Sequence, residues 1–208
     1  MRLAMRYGQP VQPFIRPLVT AAAMFAVIAS ARADWRPVER MEPYSISGTT
    51  GPELYASIGA NGPKAGVGRV IAYTDFKLTW SRDYRENGGA CTLATARPKL
   101  IITYRLPKPK GKLPPATARL WDSFISGVEA HERVHGEMIV DMVREIEAAT
   151  IGLSVDDDPG CRKIRAVMTE RLGAISTRQR QKSRDFDRVE MSNGGNVHKL
   201  ILALVNGR

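Results

Sequence analysis

The chain has 208 residues, a formal net charge of +10 and a hydrophobic fraction of 43%. That length suits one domain with a core of its own, and it excludes both a peptide and a large multidomain protein. No segment after residue 33 is apolar enough to predict a membrane span.

The N-terminus has the order of a secretory signal peptide. A basic leader without carboxylates comes first, a run of twelve largely apolar residues (18–29) follows, and alanine occupies positions 31 and 33. We predict cleavage after Ala33, which leaves residues 34–208 as one mature, periplasmic or secreted domain. An uncleaved N-terminal anchor is the alternative.

The first half of the mature chain is typical of β-structure with turns. A short strand is predicted at 44–47 and a short helix at 52–58. Residues 70–80 alternate between apolar and polar, which predicts a half-buried strand. The sequence Asn-Gly-Gly at 87–89 predicts a turn, and alternation over 100–104 predicts a further strand.

The second half is typical of helices. Residues 116–149 contain no proline, and their apolar side chains recur every three or four positions, which predicts a helix of about eight or nine turns. A second helix is predicted over 161–189, with Val189 on its inward face, and the apolar segment 200–205 has no assigned type. We therefore predict an α+β fold: a small, mainly antiparallel sheet packed against two long helices, with a zincin-like active-site helix.

Two further features bear on location and partners. Cys91 and Cys161 are an even pair in a chain predicted to be exported, so we expect a disulfide, with a free thiol nucleophile as the alternative. A basic run at 178–184 carries no interleaved aromatic residues, which argues against nucleic-acid binding. It is interpreted as a solvated helix face, and weak affinity for anionic envelope polymers is the alternative.

The chemistry-bearing motif is His131-Glu132-Arg133-Val134-His135, within the first long helix. A spacing of four residues places the two histidines about 40° apart on the helix, so both can bind one zinc ion at about 2.0–2.1 Å. Glu132, rotated about 100° from His131, is then free to act as general base towards a zinc-bound water. Core histidines bonded to backbone or carboxylates are the alternative, and Arg133 places a charge where proteases with this motif usually have none.

The third zinc ligand is left open by the sequence. Met138 occupies the position where a metzincin has glycine, so the helix continues, and the ligand must come from the second helix or the tail. We rank Glu190 first, His198 second and Asp187 third. Salt bridges to neighbouring arginines are the alternative roles of the two carboxylates.

The chain resembles a bacterial family known mainly as a domain of unknown function and described as predicted secreted zinc-dependent proteases. The resemblance covers most of the mature chain, including Cys91, His131-Glu132-x-x-His135-Gly136, Cys161 and Phe186-Asp187. It implies that His131 and His135 bind the metal and that Glu132 is the catalytic acid-base. The family has a histidine after its aromatic-Asp pair, whereas this chain has Ser192-Asn193-Gly194 in that stretch.

These observations predict a periplasmic or secreted zinc-dependent metallohydrolase. The preferred interpretation is a metallopeptidase that acts on peptides or proteins of the cell envelope. The expected site is Glu132 as catalytic base with His131, His135 and Glu190 as ligands of zinc. A catalytically silent envelope protein that keeps the motif for a structural metal or a partner is the second interpretation. A hydrolase of non-peptide amides in the cell wall is the third.

Overall fold

A computed structural model describes residues 35–66 and 68–207. The predicted signal peptide, with its cleavage after Ala33, lies outside the described residues. Among the described residues, none of the helices combines the length and the apolar character that crossing a membrane requires.

The described chain forms eight strands and four α-helices, and it is an α+β fold as predicted. In chain order these elements are β1 (Val38–Met41), β2 (Tyr44–Ile46), α1 (Gly51–Asn61), β3 (Lys64–Ala65), β4 (Gly68–Arg69), β5 (Tyr73–Asn87), β6 (Ala90–Arg105), β7 (Pro107–Pro109), α2 (Pro115–Thr150), β8 (Ser154–Val155), α3 (Lys163–Met191) and α4 (Asn196–Asn206).

The principal sheet is mixed, which corrects the prediction of a mainly antiparallel one. Its strand order is β1-β6-β5, and β8 also pairs with β6. β5 and β8 run antiparallel to β6, whereas β1 runs parallel to it, and β2 pairs with β7 in parallel as well. Parallel pairs need long connections between their strands. Local turn signals therefore predicted the hairpin. They could not predict that β1 pairs with β6, or that β2 pairs with β7, because these partners are far apart in the sequence.

The β5–β6 hairpin follows the predicted turn. Gly88 and Gly89 have φ of 59° and 86°, so both loop residues occupy the left-handed region that two-residue hairpin loops require. β5 begins at Tyr73, later than the predicted position 70, and continues past 80 to Asn87. Its polar second half shows too little apolar alternation for the sequence to predict that extension.

α2 contributes residues to two separate hydrophobic cores, one beside α1 and α4 and the other beside β6. Its predicted apolar stripe is buried: Trp121, Phe124 and Val128 pack with α1 and α4, while Ile139 and Val143 pack against β6. The motif lies between these two groups, so both cores hold it in place.

α3 and α4 depart in part from the predictions. The inward residues of α3 include Ile164, Met168 and Ile175, as expected. Val189 was wrongly placed inward, since 64% of it is exposed. The segment 200–205 belongs to α4, whose buried residues are Val197 and Leu204.

The predicted disulfide between Cys91 and Cys161 is present, with a sequence separation of 70 residues. Both cysteines are buried beside Leu93, Ile164 and Met168. The bond therefore links β6 to the segment that leads into α3, and it is consistent with secretion into an oxidising compartment.

Replacing both cysteines by alanine should lower the free energy of unfolding by about 4 kcal/mol, because the closed loop restricts the unfolded chain. Urea denaturation of the oxidised wild type and the variant measures this. Reducing the wild type should produce a similar loss. Unchanged unfolding midpoints in both cases would show that the bond contributes nothing to stability.

Gly136 of α2 lies directly against the ring of Tyr104. A Cβ atom at this position would lie 2.2 Å from the hydroxyl oxygen of Tyr104, a buried residue of β6. That hydroxyl also donates a hydrogen bond to Glu39 of β1 (3.1 Å). Gly136→Ala should therefore destabilise the protein by about 1–3 kcal/mol, as overpacking does.

Gly173 of α3 provides the matched control, because a Cβ atom there meets nothing within 4 Å. Gly173→Ala should stabilise the protein by up to about 1 kcal/mol, since alanine is the better helix former. Denaturant midpoints of the two variants should move in opposite directions. A Gly136→Ala protein as stable as the wild type would mean that Tyr104 can move away freely.

Candidate metal centre

Three ligand atoms from α2 and α3 converge on one point. The Oδ1 atom of Asp187 lies 3.1 Å from Nε2 of His131 and 2.8 Å from Nε2 of His135, and the two Nε2 atoms are 3.1 Å apart. The i, i+4 spacing on α2 brings the histidines together, as the sequence predicted. Asp187 reaches them from α3, and these three residues form a group able to hold a metal ion.

The donor set fits zinc. Two imidazoles and a carboxylate are typical zinc ligands, and bonds of about 2.0–2.1 Å in tetrahedral geometry place ligand atoms roughly 3.3 Å apart. The observed separations of 2.8–3.1 Å need only a small outward adjustment to match. Three protein ligands with a fourth position open is the arrangement of catalytic zinc sites, whereas structural sites have four.

Neighbours on α3 fix the orientation of both imidazoles. The Phe186 ring stacks on His131 with centroids 4.8 Å apart and meets the His135 ring edge-on at 5.4 Å. The Ser183 hydroxyl lies 2.9 Å from Nδ1 of His135. Because Nδ1 is occupied in this way, Nε2 of His135 is the nitrogen directed to the metal position.

Nδ1 of His131 is buried and has no hydrogen-bond partner among the described residues. The nearest carboxylate oxygen recorded beside it is Oε2 of Glu190, at 3.9 Å. The other oxygen of Glu190 accepts a hydrogen bond from the side-chain amide of Asn196, at the start of α4 (2.8 Å). A metal on Nε2 requires a proton on Nδ1, so Glu190 is the acceptor available to it after a shift of about 1 Å.

The structure therefore orders the third-ligand candidates differently from the sequence. Asp187, ranked third, joins the histidine pair. Glu190, ranked first, lies on the Nδ1 side of His131, outside the group of three ligand atoms. His198, ranked second, accepts a hydrogen bond from the backbone N–H of Gly194 at 3.3 Å and is not part of the group.

Glu132 lines the same cleft without belonging to the ligand group. Its carboxylate accepts a hydrogen bond of 2.6 Å from the hydroxyl of Thr74, a residue of β5. Thr74 lies within the strand predicted over residues 70–80, but the sequence assigned it no role. A threonine on an alternating strand is too common a feature to suggest this contact, which joins residues 58 positions apart.

The ionisable side chains of the centre shift one another's pKa values. Burial opposes the charge of Asp187, but its hydrogen bonds with both imidazoles outweigh burial and hold its pKa well below the usual range. Burial also opposes the charge of His135, yet Asp187 and Glu132 raise the pKa of this imidazole. Burial raises the pKa of Glu132, although Thr74 and the histidines oppose the shift. A carboxyl with a raised pKa suits proton transfer near neutral pH.

The centre opens into a cleft of about 540 Å³ between β5 and α3. One wall includes Tyr73 and Phe76 of β5, and the other includes Arg180, Arg184 and Met191 of α3. All five of these side chains are exposed. Exposed apolar groups beside a polar centre are typical of ligand-binding clefts.

Arg133, the unexpected charge in the motif, is turned away from the cleft. Its guanidinium group bonds Glu39 of β1 (3.0 Å) and Glu129 of α2 (2.9 Å), and it lies 5.3 Å from the centroid of the Tyr104 ring. The residue ties α2 to β1, so its charge does not face the candidate centre.

Comparison with known proteins identifies the family. Residues 41–195 match the family model described as "Bacterial protein of unknown function (DUF922)". The chain belongs to this bacterial family. The match includes the motif, Asp187 and both cysteines, and it ends before His198. No curated protein and no solved structure gives a significant match to the chain.

Proposed function

We propose that this member of the family is a zinc-dependent hydrolase of the periplasm or the extracellular space, and specifically a metallopeptidase. The observation that carries the proposal is the convergence of His131 Nε2, His135 Nε2 and Asp187 Oδ1, which lie within 3.1 Å of one another. The carboxylate of Glu132 lines the same cleft and is not part of this group.

Each residue has a distinct role in the proposed reaction. His131, His135 and Asp187 hold the metal, and Phe186 and Ser183 keep the imidazoles oriented. Zinc, when bound, supplies a Lewis acid that polarises a carbonyl and lowers the pKa of water to about 7. Glu132 accepts the proton of the attacking water and returns it to the leaving amine. Thr74 holds the Glu132 carboxylate in position by its hydrogen bond.

An extended peptide is the substrate that the walls of the cleft favour. β5 is the edge strand in the order β1-β6-β5, and its first four residues line the cleft. An edge strand can pair with an extended chain through main-chain hydrogen bonds. Tyr73 and Phe76, exposed on the same strand, offer apolar surface to the side chains of such a substrate.

The test is metal analysis of the purified mature chain, paired with cleavage of an unfolded protein such as casein. We expect one zinc per chain, loss of cleavage after chelation, and recovery when zinc is added back. A chain that binds no zinc at micromolar concentration would contradict the metal site. A chain that binds zinc but hydrolyses no peptide would instead support the interpretation as a catalytically silent envelope protein.

A further inference from the structure

The basic run of α3 divides between opposite sides of the helix. Two residues advance a helix by about 200°. Arg180 and Arg184 therefore share one side, and Arg178 and Lys182 share the other. The first pair lines the cleft, whereas Arg178 forms an ion pair with Glu145 of α2. Half of the run that was interpreted first as a solvated helix face thus lines the candidate site.

The charges of Arg180 and Arg184 are not compensated within residues 35–66 and 68–207, where neither forms an ion pair. Arg180 donates a hydrogen bond to the Thr177 hydroxyl and Arg184 donates one to the Gln181 amide oxygen, both neutral groups of the same helix.

The carboxylates of the cleft are already engaged with other groups. Asp75 lies 3.7 Å from Arg105, Asp187 contacts both histidines, and Glu132 accepts the hydrogen bond from Thr74. The α3 wall therefore presents two positive charges that no carboxylate of the cleft neutralises. A substrate carboxylate is the group that would complement them.

The helix also sets the distance of these charges from the metal centre. Arg184 and Arg180 precede Asp187 by three and seven residues, which places them about 4.5 Å and 10.5 Å from it along the axis. An extended peptide advances about 3.3 Å per residue. For a peptide that runs along α3, the two arginines would therefore lie beside substrate positions roughly one to three residues from the bond at the centre.

We propose that the cleft selects peptides that carry an aspartate or glutamate within about three residues of the scissile bond. This inference rests on the proposed peptidase function and adds the charge of the substrate to it. Arg184 and Arg180 bind the acidic side chain, since a guanidinium group can bond a carboxylate through two parallel N–H donors. Tyr73 and Phe76 contact neighbouring apolar residues from the opposite wall.

Binding measurements test the inference without requiring turnover. Fluorescent peptides that differ only by Glu, Gln or Lys near their centre are titrated against the zinc-loaded Glu132→Gln protein at low salt. We expect the Glu peptide to bind about five- to tenfold more tightly than the Gln peptide, and the Lys peptide most weakly. The preference should shrink as salt is added, because exposed charges are screened.

Arg184→Glu and Lys182→Glu form a matched pair, since both are exposed residues of α3 and both changes alter the net charge equally. Arg184→Glu should abolish the preference for the Glu peptide, and Lys182→Glu should leave it intact. Equal binding of the Glu and Gln peptides would overturn the inference, as would equal losses in both variants. If only binding of inorganic polyphosphate responds to Arg184→Glu, the surface binds a non-peptide polyanion and the inference is also wrong.

Cleavage of the same peptides by the wild type separates this inference from the proposed function. Faster cleavage of the Glu peptide supports both. Cleavage without any dependence on charge leaves the peptidase standing and overturns the selectivity. Failure to cleave any of the peptides counts against the peptidase, while the binding titrations still decide whether the cleft selects acidic peptides.

Discussion

Replacing Glu132 by glutamine should leave zinc bound and reduce peptide cleavage by at least about a hundredfold, the lower end of what a general base contributes. The carboxamide has nearly the same shape and still accepts the hydrogen bond from Thr74, but it takes no proton from water. Zinc retention is expected because Glu132 is not in the ligand group. Zinc content and kcat/KM, measured on one preparation, check both parts.

Glu129→Gln is the control for this prediction. Glu129 lies on the same helix and bonds Arg133, away from the cleft, so its replacement should leave cleavage within about twofold of wild type. Full activity of the Glu132→Gln protein would exclude Glu132 as the base. Loss of zinc from it would make Glu132 a ligand instead.

Asp187→Ala should weaken zinc binding by about a hundredfold or more, a similarly large effect. Zinc sites with four protein ligands bind with roughly 10–16 kcal/mol, or about 3 kcal/mol for each ligand. Glu190→Ala should weaken binding less, by about tenfold, because the expected role of Glu190 is to accept a hydrogen bond from Nδ1–H of His131. His198→Ala should leave affinity unchanged. Competition with a zinc-binding dye measures all three.

The order of these three effects decides the third ligand. If Glu190→Ala loses zinc as completely as His131→Ala or His135→Ala while Asp187→Ala retains it, Glu190 is the ligand and Asp187 only a hydrogen-bond partner. A Glu190→Gln variant refines the assignment of Glu190. Its amide oxygen still accepts a hydrogen bond from the imidazole N–H, so Glu190→Gln should retain most of the affinity that Glu190→Ala loses.

Much of the fold follows from local patterns. The apolar stripe of α2, the glycines of the hairpin loop and the positions of His131 and His135 depend on periodicity and turn chemistry within a few residues. The disulfide was predicted from the even pair of cysteines and the expected export. These features need no knowledge of how distant segments meet.

The place of Asp187 beside the two histidines could not be predicted in the same way, because it depends on how α3 is rotated against α2. The sequence assigned the inward face of α3 from its apolar residues, which are few after Ile175. Val189 was therefore placed inward although it is exposed. The sequence ranked Glu190 above Asp187, whereas the group of three ligand atoms includes Asp187 and not Glu190. Phe186 was the better guide, since its ring packs on both histidines and its neighbour Asp187 faces them.

Because the second half of α3 is sparsely packed, we expect a bound metal to affect the dynamics of this segment as well. Ile175 is the last buried residue of this helix. The sixteen residues that follow it contact α2 through the candidate centre and through the ion pair of Arg178 with Glu145. Segments with few buried contacts open locally at low free-energy cost. Bound zinc should suppress the local unfolding of this segment. Its amide hydrogens should therefore exchange at least about tenfold more slowly in the metal-loaded protein than after chelation. The amide hydrogens of β6 should exchange at the same rate in both states.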